Sequence, residues 1–161
     1  MGFDMKTDGM AEISKALSQM DEQAPRVAAQ GLYKGAGIMA EEIGRGAQSI
    51  RTAPFQYVQE GKTRLPSPEE KEIVVDAGRV GIAKFESNGT EINTSVGYRN
   101  AGYAELNGKV KPVPVIVNAI NSGTSFMQKQ PFVRKSVNSG SKKAMAAMKE
   151  VIEAELNAMN K

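Results

Sequence analysis

Histidine and cysteine, the side chains most often recruited for acid–base and metal chemistry, are both missing from this 161-residue chain. Without cysteine there is neither a disulfide framework nor a thiolate metal site. Without histidine the commonest general base and the commonest transition-metal ligand are gone. A Ser–Lys pair is the one nucleophilic arrangement still open, and no nucleophile-elbow sequence accompanies it. The paired carboxylates Glu41-Glu42 and Glu69-Glu70 are adjacent in sequence, so on a helix they point in different directions and form no acid–base couple. Gly61-Lys62-Thr63 reproduces the end of a phosphate-binding loop, but position 56 is Gln rather than Gly and no strand precedes it. Gly35-Ala36-Gly37-Ile38-Met39-Ala40 fits a loose dinucleotide fingerprint, yet lies inside a helical seam instead of at a strand-to-helix turn. The nine methionines fall mostly at helical spacing and read as core or adaptable interface. The expectation is a chain with no catalytic residues, no cofactor and no metal, and therefore not an enzyme.

The rest of the composition describes a scaffold. Apolar residues make up 40% and charged residues 24%, which is globular, and the length suits one domain. No run of about 18 apolar residues exists, so no membrane span is expected. Met1 to Lys6 lack the apolar core of a secretory signal. The net charge of +3 is unevenly spread: Lys129, Arg134, Lys135, Lys142, Lys143 and Lys149 follow one another with no acid among them. Such a run is a solvated helix face or a polyanion-binding surface.

Periodicity predicts an α+β fold with N-terminal helices, a β-hairpin or small antiparallel sheet, and a long C-terminal helix. Residues 1–7 read as a flexible N-terminal arm and residues 8–161 as a single domain, with mobile loops near 52–66 and 99–112. Asp8 can cap a first helix carrying Met10, Ile13, Leu17 and Met20. Pro25 opens a second, whose seam is Leu32, Ala36, Met39, Ile43, Ala47 and Ile50. Five glycines (Gly31, Gly35, Gly37, Gly44 and Gly46) weaken that helix by about 1 kcal/mol each, and their structural use is to admit another backbone. Ser67-Pro68-Glu69-Glu70 is a capping box opening a short helix with Ile73, Val74 and Ala77 inward and Gly78 as its stop. Asn88-Gly89 predicts a two-residue hairpin that opposes Phe85 to Ile92, Ala83 to Thr94 and Gly81 to Val96. A further turn, Asn107-Gly108, lies in the 99–112 loop. Val113 to Ile120 reads as a short apolar helix starting near Pro114.

The chain is organised around Asn121 to Asn138. Ser122-Gly123-Thr124 is a glycine-centred turn, and Pro131-Phe132-Val133 opens a short helix that Gly140 is expected to stop. Ser141 then starts the last helix, with Met145, Met148, Ile152, Leu156 and Met159 as its stripe. Ala144, Ala147, Val151, Ala154 and Ala158 widen that stripe enough for two packing partners.

This order of elements, with Gly123-Thr124 followed by Pro131-Phe132-Val133-Arg134, resembles the tail-completion or head–tail joining proteins of long-tailed bacteriophages. Asn121-Ser122 stands where those proteins usually carry an acidic residue, and Lys62-Thr63-Arg64-Leu65 is a remnant of their Gly-Arg-Leu signature. The resemblance implies a structural virion protein of the phage neck or tail, made in the host bacterial cytoplasm. It implies a homo-oligomeric, usually hexameric, ring placed between a head connector or completion protein and a tail terminator or tail-tube protein. The interaction residues carried over are Gly123, Thr124, Pro131, Phe132 and Arg134, with Phe132 read as core and Thr124 and Arg134 as contacts. Lys142, Lys143 and Lys149 are candidates to line a lumen through which DNA passes. The alternative is a small basic DNA-binding protein using residues 129–149.

Overall fold

The computed structural model describes residues 2–4, 23–76, 79–88 and 91–159, the first three as backbone. The helix expected from Asp8, the Ala77-Gly78 stop and the central pair of the 88–91 turn lie outside the described residues. The elements run β1 (Gly2–Asp4), α1 (Ala24–Gln48), α2 (Pro68–Val75), β2 (Gly81–Ile82), β3 (Glu86–Ser87), β4 (Ile92–Asn93), β5 (Ser95–Gly97), β6 (Tyr103–Leu106), β7 (Lys109–Pro112), α3 (Val113–Ser122) and α4 (Phe132–Met159). This is the α+β fold that periodicity predicts.

Two long antiparallel helices, α1 and α4, make the largest interface of the molecule. The predicted seam of α1 is buried throughout, from Leu32 to Ile50. A second row on the same helix, Gly31, Gly35, Met39, Ile43 and Ala47, is also buried and repeats every fourth residue. On α4 the matching row is Ser136, Gly140, Ala144, Met148 and Ile152. Ridges of this i±4 kind pack into each other's grooves. Size alternates across the contact: a Cβ on Gly31 would lie 2.7 Å from Ile152 Cγ1, and one on Gly140 would lie 2.8 Å from Glu42 Cγ. On Gly46 it would meet the Ser136 hydroxyl, with the Phe132 carbonyl oxygen 3.2 Å away. Gly37 and Gly44, by contrast, face open space.

This packing corrects the expected break at Gly140. Helix α4 runs unbroken from Phe132 to Met159, so Gly140 ends no helix and Ser141 starts none. A glycine between polar residues reads as a stop in sequence, whereas here burial against Glu42 and Met39 recovers what its backbone entropy costs. The stripe is also narrower than expected. Ala144, Met148 and Ile152 are buried, Met145, Leu156 and Met159 are half-buried, and Ala154 and Ala158 are exposed.

Helix α2 begins with the predicted capping box. Ser67 Oγ accepts the Glu70 N–H at 3.2 Å, and a Glu70 carboxylate oxygen accepts the Ser67 N–H at 2.7 Å. Val74 is its buried contact, and the Tyr98 hydroxyl donates to the Val74 carbonyl at 3.3 Å. Burial raises the Tyr98 phenol well above its ordinary pKa.

The strands form a three-stranded sheet in the order β1-β5-β2 and two hairpins, β3-β4 and β6-β7. Gly2–Asp4, expected to lie in a loose arm, pair antiparallel with Ser95–Gly97. The first hairpin is shifted from its predicted register: Ser87 opposes Ile92, Glu86 opposes Asn93, and Ile82 opposes Val96. Asn88 closes the turn instead of occupying its centre, since its N–H donates to the Glu91 carbonyl and its Oδ1 accepts the Glu91 N–H. Further down, residues 83–85 oppose only 94–95, a bulge in the first strand. The Thr94 hydroxyl donates to the Ala83 carbonyl there at 2.7 Å. The 99–112 segment is likewise more regular than expected. Tyr103–Leu106 and Lys109–Pro112 pair across Asn107-Gly108, both at positive φ (52° and 72°) as a type I′ turn requires. All four residues of β7 are exposed, so no apolar alternation marks that strand, and the sequence predicts a loop there with only the Asn107-Gly108 turn in it. Helix α3 starts at Val113 as predicted and buries Val113, Ile116, Val117 and Ile120.

Candidate functional site

The segment joining α3 to α4 is tied at its base and at its tip. At the base, the Gln130 N–H donates to the Ile120 carbonyl at 2.8 Å, and Asn121 Oδ1 accepts the Val133 N–H at 3.1 Å. Asn121 thus satisfies one of the unpaired first-turn N–H groups of the next helix, that of Val133, from outside it. The Pro131 carbonyl accepts the Lys135 N–H at 3.1 Å, so Pro131 stands just ahead of the first turn, one residue from its expected place.

Gly123 is required twice over. Its φ of 76° disfavours any side chain, and a Cβ would lie 3.0 Å from Lys129 Cβ and 3.1 Å from the Lys129 nitrogen. Thr124 closes the tip: its N–H donates to the Met127 carbonyl at 3.0 Å, and its Oγ1 accepts the N–H groups of Phe126 and Met127 at 3.1 and 2.9 Å. The Thr124 side chain, read from sequence as a contact, is therefore engaged in holding its own turn, although the residue remains exposed.

Arg64 joins this loop to the rest of the molecule. A parallel bridge links it to Met127, its N–H donating to the Phe126 carbonyl at 2.8 Å and its carbonyl accepting the Gln128 N–H at 2.9 Å. Its guanidinium makes two parallel 2.7 Å hydrogen bonds to the Glu70 carboxylate and lies 4.9 Å from the Phe55 ring centre. Burial pushes the Glu70 carboxyl up, but the Arg64 hydrogen bonds, the Ser67 N–H and the charges of Arg64 and Lys111 outweigh it and hold it below the usual carboxylate range. The same hydrogen bonds raise the Arg64 guanidinium. The capping box of α2, the 52–66 segment and the Gly-Thr turn thereby share one bidentate ion pair.

Gln130 makes a second tie. Its Oε1 accepts the Arg51 N–H at 2.9 Å and its Nε2 donates to the Arg51 carbonyl at 3.0 Å. Phe132 is 4% exposed and meets Tyr98 edge to face, with ring centres 6.1 Å apart, as its reading as core required. Arg134 is exposed and has no ion-pair partner among the described residues.

Of the lysines, Lys142 and Lys149 lie one heptad apart on the outer side of α4, in line with Lys135, and all three are exposed. Lys143 is turned aside, its Nζ 3.3 Å from Glu42 Oε1, a carboxylate that Arg45 also binds. Lys149 Nζ is 3.8 Å from Glu153.

A shallow depression of about 390 Å³ lined by Thr63, Ser122, Gly123, Thr124, Met127, Gln128 and Lys129 lies beside the turn. Large apolar side chains reach solvent on several elements, and one exposed pair is Tyr33 of α1 with Phe85, which meet edge to face with ring centres 6.3 Å apart. Phe55 lies against the Arg64 guanidinium and touches Tyr57, which is 94% exposed, and the exposed Phe126 follows in the segment that Arg64 bridges; Tyr103, Val110 and Val115 belong to β6, β7 and α3. The turn is a junction built from spent hydrogen bonds, with exposed apolar surface beside it.

Sequence reasoning missed Arg64, Glu70 and Gln130 as organisers. The Arg64-Leu65 remnant was the only trace of the first; nothing local betrays a partnership like that of Gln130 with Arg51, 79 residues apart. Among the described residues no helix is long and apolar enough to cross a membrane, and no group of three or more metal-ligating side chains occurs. No family model matches the chain, and neither does any curated protein or solved structure.

Proposed function

We propose that this chain is a structural virion protein of a long-tailed bacteriophage, one that assembles as a ring at the head–tail junction and works by docking. The reading rests on the resemblance of Gly123-Thr124 and Pro131-Phe132-Val133-Arg134 to the tail-completion proteins. The observation that carries it furthest is the exposure of large apolar side chains on several elements. Phe55-Tyr57-Phe126 and Tyr103-Val110-Val115 are taken as the two ring surfaces, and Tyr33-Phe85 is a third exposed group. A ring of head-to-tail subunits needs two different surfaces on each copy, and exposed apolar clusters mark interaction sites. Arg64 and the turn fix the first group; the tight β6-β7 hairpin and α3 carry the second. In this reading the 52–66 segment and the β6-β7 hairpin meet on adjoining copies, and the ring's two faces meet the head connector and the tail.

Light scattering across a concentration series, with electron microscopy of the particles formed, tests the proposal. Closed rings of fixed size are expected, and labelled protein should be found at the virion neck. A strictly monomeric protein that never enters particles would discard the reading.

A second reading is favoured by the row Lys135, Lys142, Lys149 with Arg134 beside it, of which Arg134, Lys135 and Lys142 have no carboxylate partner among the described residues. It makes α4 a non-specific duplex-DNA binder. Affinity should then fall steeply with salt, with a slope of about −0.9 per phosphate neutralised. Absence of binding at low salt disposes of it.

A further inference from the structure

We infer that the outer edge of β7 is a strand-acceptor site for an extended segment of another protein, one with two acidic side chains at alternate positions and an apolar side chain between them. The inference concerns the backbone edge of the β6-β7 hairpin rather than the side chains that the ring reading uses, and it stands without that reading.

The register fixes which backbone groups face outward. The Val113 N–H donates to the Gly102 carbonyl at 2.9 Å, so residues 109, 111 and 113 turn their polar groups towards β6. Alternate residues of an antiparallel strand turn to opposite edges, which leaves the N–H and C=O of Val110 and the C=O of Pro112 on the outer edge of β7. Among the described residues the hairpin has no third strand, and no hydrogen bond reaches those outward groups. The edge of β6 differs, because Arg79 covers part of it. Its guanidinium donates to the Ala101 carbonyl at 2.7 Å and to the Tyr103 carbonyl at 3.4 Å. Every residue of β7 is exposed, Val110 by 71%. A bare edge of this kind is a template for a further strand.

The side chains select the occupant. By their pairing, Val110 and Pro112 share one face with Tyr103, while Lys109 and Lys111 share the other with Leu106 and Ala104. Neither lysine forms an ion pair among the described residues, although the charge of Lys111 helps to lower the Glu70 carboxyl. A strand added antiparallel to β7 sets one residue opposite Val110 and its two neighbours opposite the lysines. Acid, apolar, acid is the complement. Main-chain hydrogen bonds then give affinity, and the alternating side chains give specificity. A second copy of β7 does not fit. Centred on Val110, it would set Lys109 of each copy opposite Lys111 of the other with Cα atoms about 4.5 Å apart, a like-charge pairing made twice. Nor does the rest of this chain offer the segment, since its one acid–apolar–acid triplet, Glu153-Ala154-Glu155, is held in α4.

The probe is a blocked synthetic peptide, Thr-Val-Glu-Val-Glu-Val-Thr, with a counterpart carrying Lys in place of Glu. Each is titrated into the isotope-labelled full chain while amide hydrogen exchange is followed. The glutamate peptide should slow exchange of the Val110 N–H by about tenfold or more, and the lysine peptide should leave it unchanged. The double variant Lys109→Glu, Lys111→Glu should reverse that preference. Val110→Pro removes the outward donor but leaves the β6-β7 ladder, in which that N–H takes no part. This variant should unfold at the temperature of the unaltered chain and bind the glutamate peptide about tenfold more weakly. A Val110 N–H that ignores the glutamate peptide overturns the inference, as does equal binding of the two peptides. Protection that grows with protein concentration in the absence of peptide means that a second copy fills the edge, and overturns it too.

Discussion

Gly31 of α1 lies against Ile152 of α4 so closely that a Cβ would come within 2.7 Å of Ile152 Cγ1 and 3.3 Å of the Met148 carbonyl oxygen. The reverse holds further along, where Gly140 of α4 admits the Glu42 and Met39 side chains of α1. Each helix thus contributes glycine where its partner contributes bulk. Gly31→Leu and Gly140→Leu should each destabilise the fold by about 1–3 kcal/mol, the usual cost of overpacking. Gly37→Ala and Gly44→Ala, at positions facing open space, should each stabilise it by up to about 1 kcal/mol from helix propensity. Thermal unfolding of the four variants checks this. A uniform gain in all four would show that the helices do not pack through these glycines.

The ion pair of Arg64 with Glu70 makes stability depend on pH. The side chains are only 16% and 8% exposed, so removing one partner strands the other. Glu70→Gln should cost about 2–3 kcal/mol at neutral pH, somewhat less than for a fully buried pair. The folded pKa of Glu70 is depressed, so its contribution is present above the unfolded value of about 4.3 and is lost as pH falls through the folded one. The gap between unaltered protein and Glu70→Gln should therefore be widest near pH 7 and close progressively below about pH 4.5. Urea titrations at several pH values check it, and a gap independent of pH would refute the pairing.

Gln130 imitates a strand neighbour for Arg51. Replacing it with Ala should cost about 1–2 kcal/mol for two hydrogen bonds. Gln130→Glu keeps the acceptor but loses the donor, so the Arg51 N–H should stay protected in that variant and exchange quickly in Gln130→Ala. Hydrogen exchange at Arg51 distinguishes the two, and equal exchange rates would mean the side-chain contact does not form in solution.

The seam of α1, the capping box of α2 and the apolar rows of α3 were legible because each is a local pattern, complete within about five turns of chain. Gly140 was misread because stop and close-packing glycines look alike until the partner is known. The register of the 80–98 hairpin slipped because Asn88-Gly89 names a turn without saying which residue closes it. The bulge at 83–85 then moves the pairing again. At the site, Gly123 and Phe132 could be read from residue type alone. The Arg64–Glu70 ion pair and the tie of Gln130 to Arg51 could not: Glu70 reads from sequence only as a cap, and Gln130 lies 79 residues from its partner.

Phe132 and Tyr57 separate the core from the docking surface. Phe132, 4% exposed against Tyr98, should lose about 3–5 kcal/mol of stability on replacement by Ala. Any loss of assembly in that variant would follow from unfolding. Tyr57, 94% exposed and touching Phe55 edge to face at 5.2 Å between ring centres, should tolerate Tyr57→Ser within about 0.5 kcal/mol, as surface sites do. If the Phe55-Tyr57-Phe126 group is an interface, the same substitution should raise the concentration needed for ring formation at least tenfold, since aromatic residues at interface centres carry much of the binding energy. Chemical denaturation and light scattering on the two variants give four numbers. A Tyr57→Ser protein that assembles like the unaltered chain removes this surface from the ring, and the contact must then be sought at Tyr103, Val110 and Val115.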